Sequence, residues 1–169
     1  PVAIPDDNPA GASSLITVSN FVGAVSKVTV SLNISHTFDA DLLIQLVSPD
    51  NVTNTLSANN GGAGDNYGTA CIDASRTVFD DSATNAIGSG QPPFVATFSP
   101  DSPLARFNGK TGAAVNGTWQ LHVVDQFFID VGSINCWSLF LSPAACTDGG
   151  GECPGVDLAI GMNSTPEPV

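Results

Sequence analysis

An all-β chain folded as an antiparallel β-sandwich or jelly roll is predicted from three observations. Short apolar–polar alternations recur along the sequence. Stretches rich in Gly, Pro, Ser, Thr, Asn and Asp separate them. No segment of helical length carries a 3.6-residue apolar period. At 169 residues the chain can bury a full core as one domain, with a short tail.

Residues 1–13, with Ile4-Pro5-Asp6-Asp7-Asn8-Pro9, read as a lead-in loop broken by Pro and Gly, and Pro1-Val2-Ala3 as a processed or cut end. Residues 15–18 form a short strand. Val28, Val30, Leu32 and Ile34 alternate with Thr29, Ser31 and Asn33, the pattern of a half-buried strand. Residues 42–47 are apolar on both parities, which places them centrally with both faces covered. Residues 51–90 are loop-rich, and 59–66 (Asn-Asn-Gly-Gly-Ala-Gly-Asp-Asn) read as a turn with several positive-φ positions. Another short strand is expected within 92–100 and a single helical turn in 103–109. Residues 117–125 place Trp119, Leu121 and Val123 on one face and His122 on the other, and 132–141 bring Trp137, Leu139 and Leu141 together.

These elements make one domain over residues 1–142. Residues 143–155 are a Cys-bounded, Gly-rich linker, and 156–162 alternate again. The extra strand in 156–169 has no local partner. It reads either as the start of a following Ig-like domain or as a strand donated to a neighbouring subunit.

Sixteen acids face four Lys plus Arg, for a net charge of −12, and fourteen of the acids are Asp. Asp prefers turns over helix interiors, so these carboxylates belong to the connections between strands. The balance excludes phosphate-backbone binding, hence nucleic acid, and opposes anionic membrane surfaces. No run of about 18 apolar residues provides a transmembrane span, and no basic leader opens the chain.

Cys71, Cys136, Cys146 and Cys153 contain no C-x-x-C pair. Cys146 and Cys153 bracket a Gly-rich loop that would close as a small ring, leaving Cys71 and Cys136 to staple a long loop onto a late strand. Four cysteines permit three connectivities, and four reduced buried thiols are the bland alternative. Disulfides imply an oxidising setting: secreted, extracellular or cell-surface.

Asp39 and Asp41 stand one residue apart between two strands. In an extended backbone they would share a side and repel unless a hard divalent cation sat between them. A solvated acidic turn is the plain alternative.

In order and spacing the sequence resembles the P/Homo B domain, the module that follows the catalytic domain in kexin- and furin-like proprotein convertases and recurs in bacterial secreted proteases and surface proteins. The matching residues are Ile4-Pro5-Asp6, His36-Thr37-Phe38-Asp39-Ala40-Asp41-Leu42, Ser48-Pro49, Gly64-Asp65-Asn66-Tyr67 and Phe79-Asp80-Asp81-Ser82-Ala83. Further along come Pro93-Phe94, Phe98-Ser99-Pro100, Phe107-Asn108-Gly109, Asn116-Gly117-Thr118-Trp119-Gln120-Leu121 and Trp137-Ser138-Leu139. The resemblance covers residues 2–142 and implies a galactose-binding-domain-like jelly roll. Two departures stand out: Ala40 replaces a usual Gly, and residues 69–78, with Cys71, look like an insertion.

The resemblance also implies Ca²⁺ at Asp39, Asp41, Asp80, Asp81, Asp125 and Asp130. The alternative is a set of capping and turn aspartates. Asp6, Asp7 and Asp101 are a weaker second set. Zinc is disfavoured, since no His or Cys pairs with these acids.

Only two histidines are present, and neither a G-x-S-x-G elbow nor an H-E-x-x-H motif. No catalytic residue is assigned: His36 is expected to pack and His122 to face outward. Sugar binding rests on fold analogy alone. The expected function is therefore a non-catalytic, calcium-stabilised structural or interaction module. The alternatives are a self-assembling subunit of an extracellular filament or layer, using the C-terminal strand, and an accessory domain of a secreted serine or metalloprotease. The expected partner is an adjacent domain or a neighbouring subunit.

Overall fold

The computed structural model describes residues 1–144. Most of the 143–155 linker, with Cys146 and Cys153, and the 156–169 strand lie outside the described residues.

Nine strands make two facing sheets among the described residues: β1 (Val2–Ile4), β2 (Ala12–Val18), β3 (Val25–His36), β4 (Leu42–Val47), β5 (Thr53–Ala58), β6 (Thr77–Phe79), β7 (Thr97–Phe98), β8 (Gly117–Asp125) and β9 (Gly132–Pro143). One sheet runs β1-β9-β3-β6-β7 and the other β2-β8-β4-β5. Every pairing is antiparallel except β6 with β7. Among the described residues no helix is longer than a single 3₁₀ turn, and none is long and apolar enough to cross a membrane. The all-β prediction is met.

β3 is the spine of the five-stranded sheet. It pairs with β9 from Val25 opposite Pro143 to His36 opposite Gly132. Its inward parity, Val28 through Ile34, is buried, as are Leu42, Ile44 and Leu46 of β4 and Trp119, Leu121 and Val123 of β8. Each such side chain removed from water stabilises the fold by about 1.5–3 kcal/mol. Trp119 can be buried because its indole N–H donates to the Val115 carbonyl (2.9 Å), and Phe107 meets it edge-on at 5.2 Å.

Three expectations are corrected. The lead-in contains β1, which pairs with β9, and the start of β2. The stretch expected to be loop carries β5, whose alternation is hidden because its inward residues beside Leu56 are Asn54 and Ser57. Asn54 is accommodated by donating to the Ser102 carbonyl. The short strand expected within 92–100 is found at Thr97–Phe98, with Phe94 before it at a positive φ of 51°. The second parity of β4, with Leu43 and Val47, is half-buried rather than covered. The single helical turn appears as 3₁₀ over Leu104–Phe107, and Ala40 needs no positive φ.

Cys71 and Cys136 are bonded, fastening the 69–78 insertion to β9. The register also gathers one end of the sandwich. His36 ends β3, Gly132 begins β9, and Leu42 begins β4 opposite Asp125 at the end of β8.

Candidate metal centre

The predicted convergence of Asp39 and Asp41 assumed a strand. The chain instead leaves β3, extends through Phe38, and turns through one 3₁₀ turn over Asp39–Asp41. With three residues per turn, positions i and i+2 point apart. The two carboxylates accordingly face different surroundings.

Asp39 is fully buried. Its Oδ1 accepts the Asn66 N–H (2.9 Å), while its Oδ2 has no partner. The 59–66 loop wraps around it: the Asp39 N–H donates to Gly64 O (2.9 Å) and the Ala40 N–H to Gly62 O (3.1 Å). The loop closes this tightly because Gly61 sits at φ 98°, where a Cβ would come within 2.8 Å of the Asp39 Cβ. Burial, opposed by the Asn66 N–H and reinforced by nearby Asp65, pushes the Asp39 carboxyl up to about 7.

Asp41 faces Asp125, Asp130 and Asp6. Burial first, and then the charges of these acids, raise its carboxyl, with His36 acting in the other direction. Asp125 is buried, and its Oδ2 lies 3.1 Å from His36 Nε2. Nδ1 lies 2.9 Å from the Phe38 carbonyl and 3.2 Å from the Phe38 N–H, so both ring nitrogens are engaged and the tautomer sets which of them donates. Gly132 makes room for this ring, since a Cβ there would collide with the Ser35 carbonyl and the imidazole. Asp130 accepts from Thr37 Oγ1 (2.7 Å), and Asp6 from the Ile129 N–H (3.2 Å).

Asp80 and Asp81 lie elsewhere, and their oxygens are engaged. Asp80 takes Lys27 Nζ (2.7 Å) and the Ser82 N–H and hydroxyl. Partial burial works against its ionisation, but the hydrogen bonds from Lys27 and Ser82 prevail and hold the carboxyl at about 2. Asp81 accepts the N–H groups of Leu104 (2.8 Å) and Ala105 (2.7 Å) and so caps the 3₁₀ turn there. The six predicted ligands thus occupy three places. Among the described residues, no three His, Cys, Asp or Glu side chains close on one point as a metal cage.

Asp65 and His36 join these sites without having been predicted as ligands, while Asp6, expected in a weaker second set with Asp7 and Asp101, acts on Asp41 instead. The Gly64-Asp65-Asn66-Tyr67 motif was the available signal for the first. His122 Nδ1 meets Ser13 Oγ at 2.9 Å, and among the described residues no carboxylate hydrogen-bonds to this imidazole.

These features define a two-sheet β-sandwich with acidic side chains gathered at its connections. The profile of the proprotein convertase P-domain matches residues 25–141. The chain belongs to that family.

It is 30% identical over 139 residues to leupeptin-inactivating enzyme 1 of Streptomyces exfoliatus, covering 82% of this chain and 24% of that protein. It is also 30% identical over 138 residues to the transglutaminase-activating metalloprotease of Streptomyces mobaraensis, covering 82% of this chain and 14% of that protein. The chain therefore spans a quarter or less of these relatives. In the crystal structure of the Aeromonas sobria serine protease, the fold recurs at TM-score 0.50 and 21% identity, covering 83% of this chain and 24% of that one. In the complex of that protease with its chaperone the TM-score is 0.52 at 22% identity, with the same coverages.

Proposed function

We propose that this chain is a non-catalytic accessory module of a larger extracytoplasmic protease polypeptide, and that Ca²⁺ holds its loops together. The protease setting is supported by family membership and by relatives of which the chain is only a part. The extracytoplasmic setting is supported by the Cys71–Cys136 bond.

The observation that carries the calcium reading is Asp39 Oδ2, a fully buried carboxylate oxygen with no partner. Burying an ionised oxygen costs several kcal/mol unless it is paired or coordinates a metal. The groups that act on this turn offer hard oxygens, Asp65 through its charge and the Gly62 and Gly64 carbonyls through the Ala40 and Asp39 N–H groups that they accept, and such oxygens suit Ca²⁺ and not zinc. Asp125, Asp130 and Asp6 add their charges around Asp41 without closing on one point, a second acidic region that a cation would partly neutralise. Asp80 and Asp81 already serve Lys27 and backbone donors. Ca²⁺ supplies a fixed positive charge with six to eight oxygen positions, tying the 59–66 loop to the turn between β3 and β4.

Isothermal titration of Ca²⁺ into chelator-treated protein is expected to show binding heat and a raised Tm, while the domain alone releases no peptides from casein. No heat and an unchanged Tm refute the calcium reading. Casein cleavage that survives purification to homogeneity refutes the non-catalytic one.

A further inference from the structure

The β8–β9 connection, residues 126–131, turns Phe127, Phe128, Ile129 and Val131 into solvent, with Phe128 68% and Ile129 75% exposed. Four large apolar side chains within five residues contribute little to this fold by being there. Contiguous exposed apolar surface marks an interaction site. Ile129 is also held at φ 98°, an outlier for a β-branched residue, and its N–H donates to Asp6. Such backbone strain persists only where the surroundings enforce it, and it concentrates at functional sites.

Beside this tip runs an open groove of about 540 Å³ on the outer face of the β2-β8-β4-β5 sheet, lined among others by Asp7, Gln45, His122 and Gln126. Tip and groove are joined twice through the chain. Gln126 lines the groove and Phe127 follows it; Asp6 holds the tip and Asp7 lines the groove. Gln45 lies opposite His122 across β4 and β8. The combined surface is thus apolar at the tip, acidic at its base, and mixed along the groove, where Pro9, Leu43 and Val124 stand among the polar residues and Asp7 is the exposed acid.

We infer that this tip and groove dock a separate polypeptide through an exposed segment in which apolar side chains alternate with Lys or Arg. The apolar groups cover Phe127–Ile129, and a cationic side chain enters the groove beside Asp7. Charge complementarity selects the occupant. A second copy carries the same net charge of −12 and is repelled. The chain's own cations are largely committed as well: Lys27 pairs with Asp80, Lys110 with Asp50, and Arg76 binds Ser138 and the Cys71 carbonyl. An anionic lipid surface is opposed by the same acids.

The test is fluorescence anisotropy with labelled peptides, with the intact chain kept in chelator so that the outcome is independent of Ca²⁺. A peptide of alternating Leu and Arg is expected to bind, to weaken with added salt, and to exceed a Gly-Arg peptide and a Leu-Glu peptide by about tenfold or more. Phe128→Ser is expected to lose about tenfold and Asp7→Asn about threefold. Leu15→Ser, an exposed residue on β2, is expected to change nothing. Both aromatic and control positions are exposed, so the variants fold.

The proposal is overturned by any of several results. One is no binding up to about 1 mM peptide, far weaker than a useful docking site. Others are equal binding of the Gly-Arg peptide, unchanged binding by Phe128→Ser, or an equal loss in Leu15→Ser. Capture of the wild type, but not Phe128→Ser, on neutral phosphatidylcholine vesicles in place of peptide overturns it in favour of lipid.

Discussion

Replacing Asp39 with Asn tests the buried carboxylate in a way that gives opposite signs with and without calcium. Asn keeps an oxygen for the Asn66 N–H but cannot ionise. In the wild type, burial pushes the Asp39 carboxyl up to about 7. Between about pH 4 and 7 the unfolded chain has therefore lost a proton that the folded chain retains. Stability falls as pH rises through that window and is flat above it. At pH 8 the ionised group costs the metal-free fold about 4 kcal/mol. An unpaired amide N–H in the variant returns about 1–3 kcal/mol of that. Asp39→Asn should thus be more stable than wild type in chelator at pH 8 by about 2 kcal/mol, or about 5 °C in Tm. Near pH 4, where the wild-type carboxyl is largely protonated and the amide penalty remains, the order should reverse, with the variant less stable by about 1–2 kcal/mol. In saturating Ca²⁺ the order should invert, because only the wild type gains. Scanning calorimetry at pH 4 and pH 8, with chelator and with Ca²⁺, measures all four values. A variant less stable than wild type in chelator at pH 8, or one that gains as much from Ca²⁺, would refute the reasoning.

Three other perturbations follow from the geometry. Cys71→Ser with Cys136→Ser opens a loop closed over a sequence separation of 65; by loop entropy this removes about 4 kcal/mol, to be read from urea midpoints. His36→Ala strips the imidazole from the buried Asp125 Oδ2 and should cost about 3 kcal/mol, with Asp125→Asn in the same chain restoring part of it. The Asp80 carboxyl, held at about 2, contributes stability above the ordinary carboxylate range that is lost as pH falls from about 4 to about 2. Lys27 is half-exposed, so screening reduces this to about 1 kcal/mol, and Lys27→Met should flatten that acid limb in thermal melts.

The fold was legible where burial has a period. β3, β4 and β8 alternate apolar side chains with polar ones or carry continuous apolar runs, and the inward sets Val30-Leu32-Ile34 and Trp119-Leu121-Val123 were read directly. β5 escaped because a buried Asn and a buried Ser are satisfied by partners distant in sequence, Ser102 for Asn54 and Tyr67 for Ser57. β1 escaped because three residues show no period and owe their strand to β9.

For the candidate site, the sequence marked the right turns but not the directions of the side chains. The Asp39–Asp41 segment looks extended between two strands, but the Asp41 and Leu42 N–H groups bond back to the Phe38 and Asp39 carbonyls and make it a 3₁₀ turn, which the 59–66 loop braces. The roles of Asp80 and Asp81 were likewise set by Lys27 and by the N–H groups of Leu104 and Ala105, none of which is local. The resemblance to the P-domain family carried the family assignment; the spacing of aspartates did not reveal which of them meet.

The most direct test of the central claim is a crystal structure of this domain grown in CaCl₂. The account predicts an ion at about 2.3–2.6 Å from Asp39 Oδ2, completed by oxygens of the 59–66 loop. An Asp39 Oδ2 with no ion beside it, or one bonded instead to a protein donor, would contradict it.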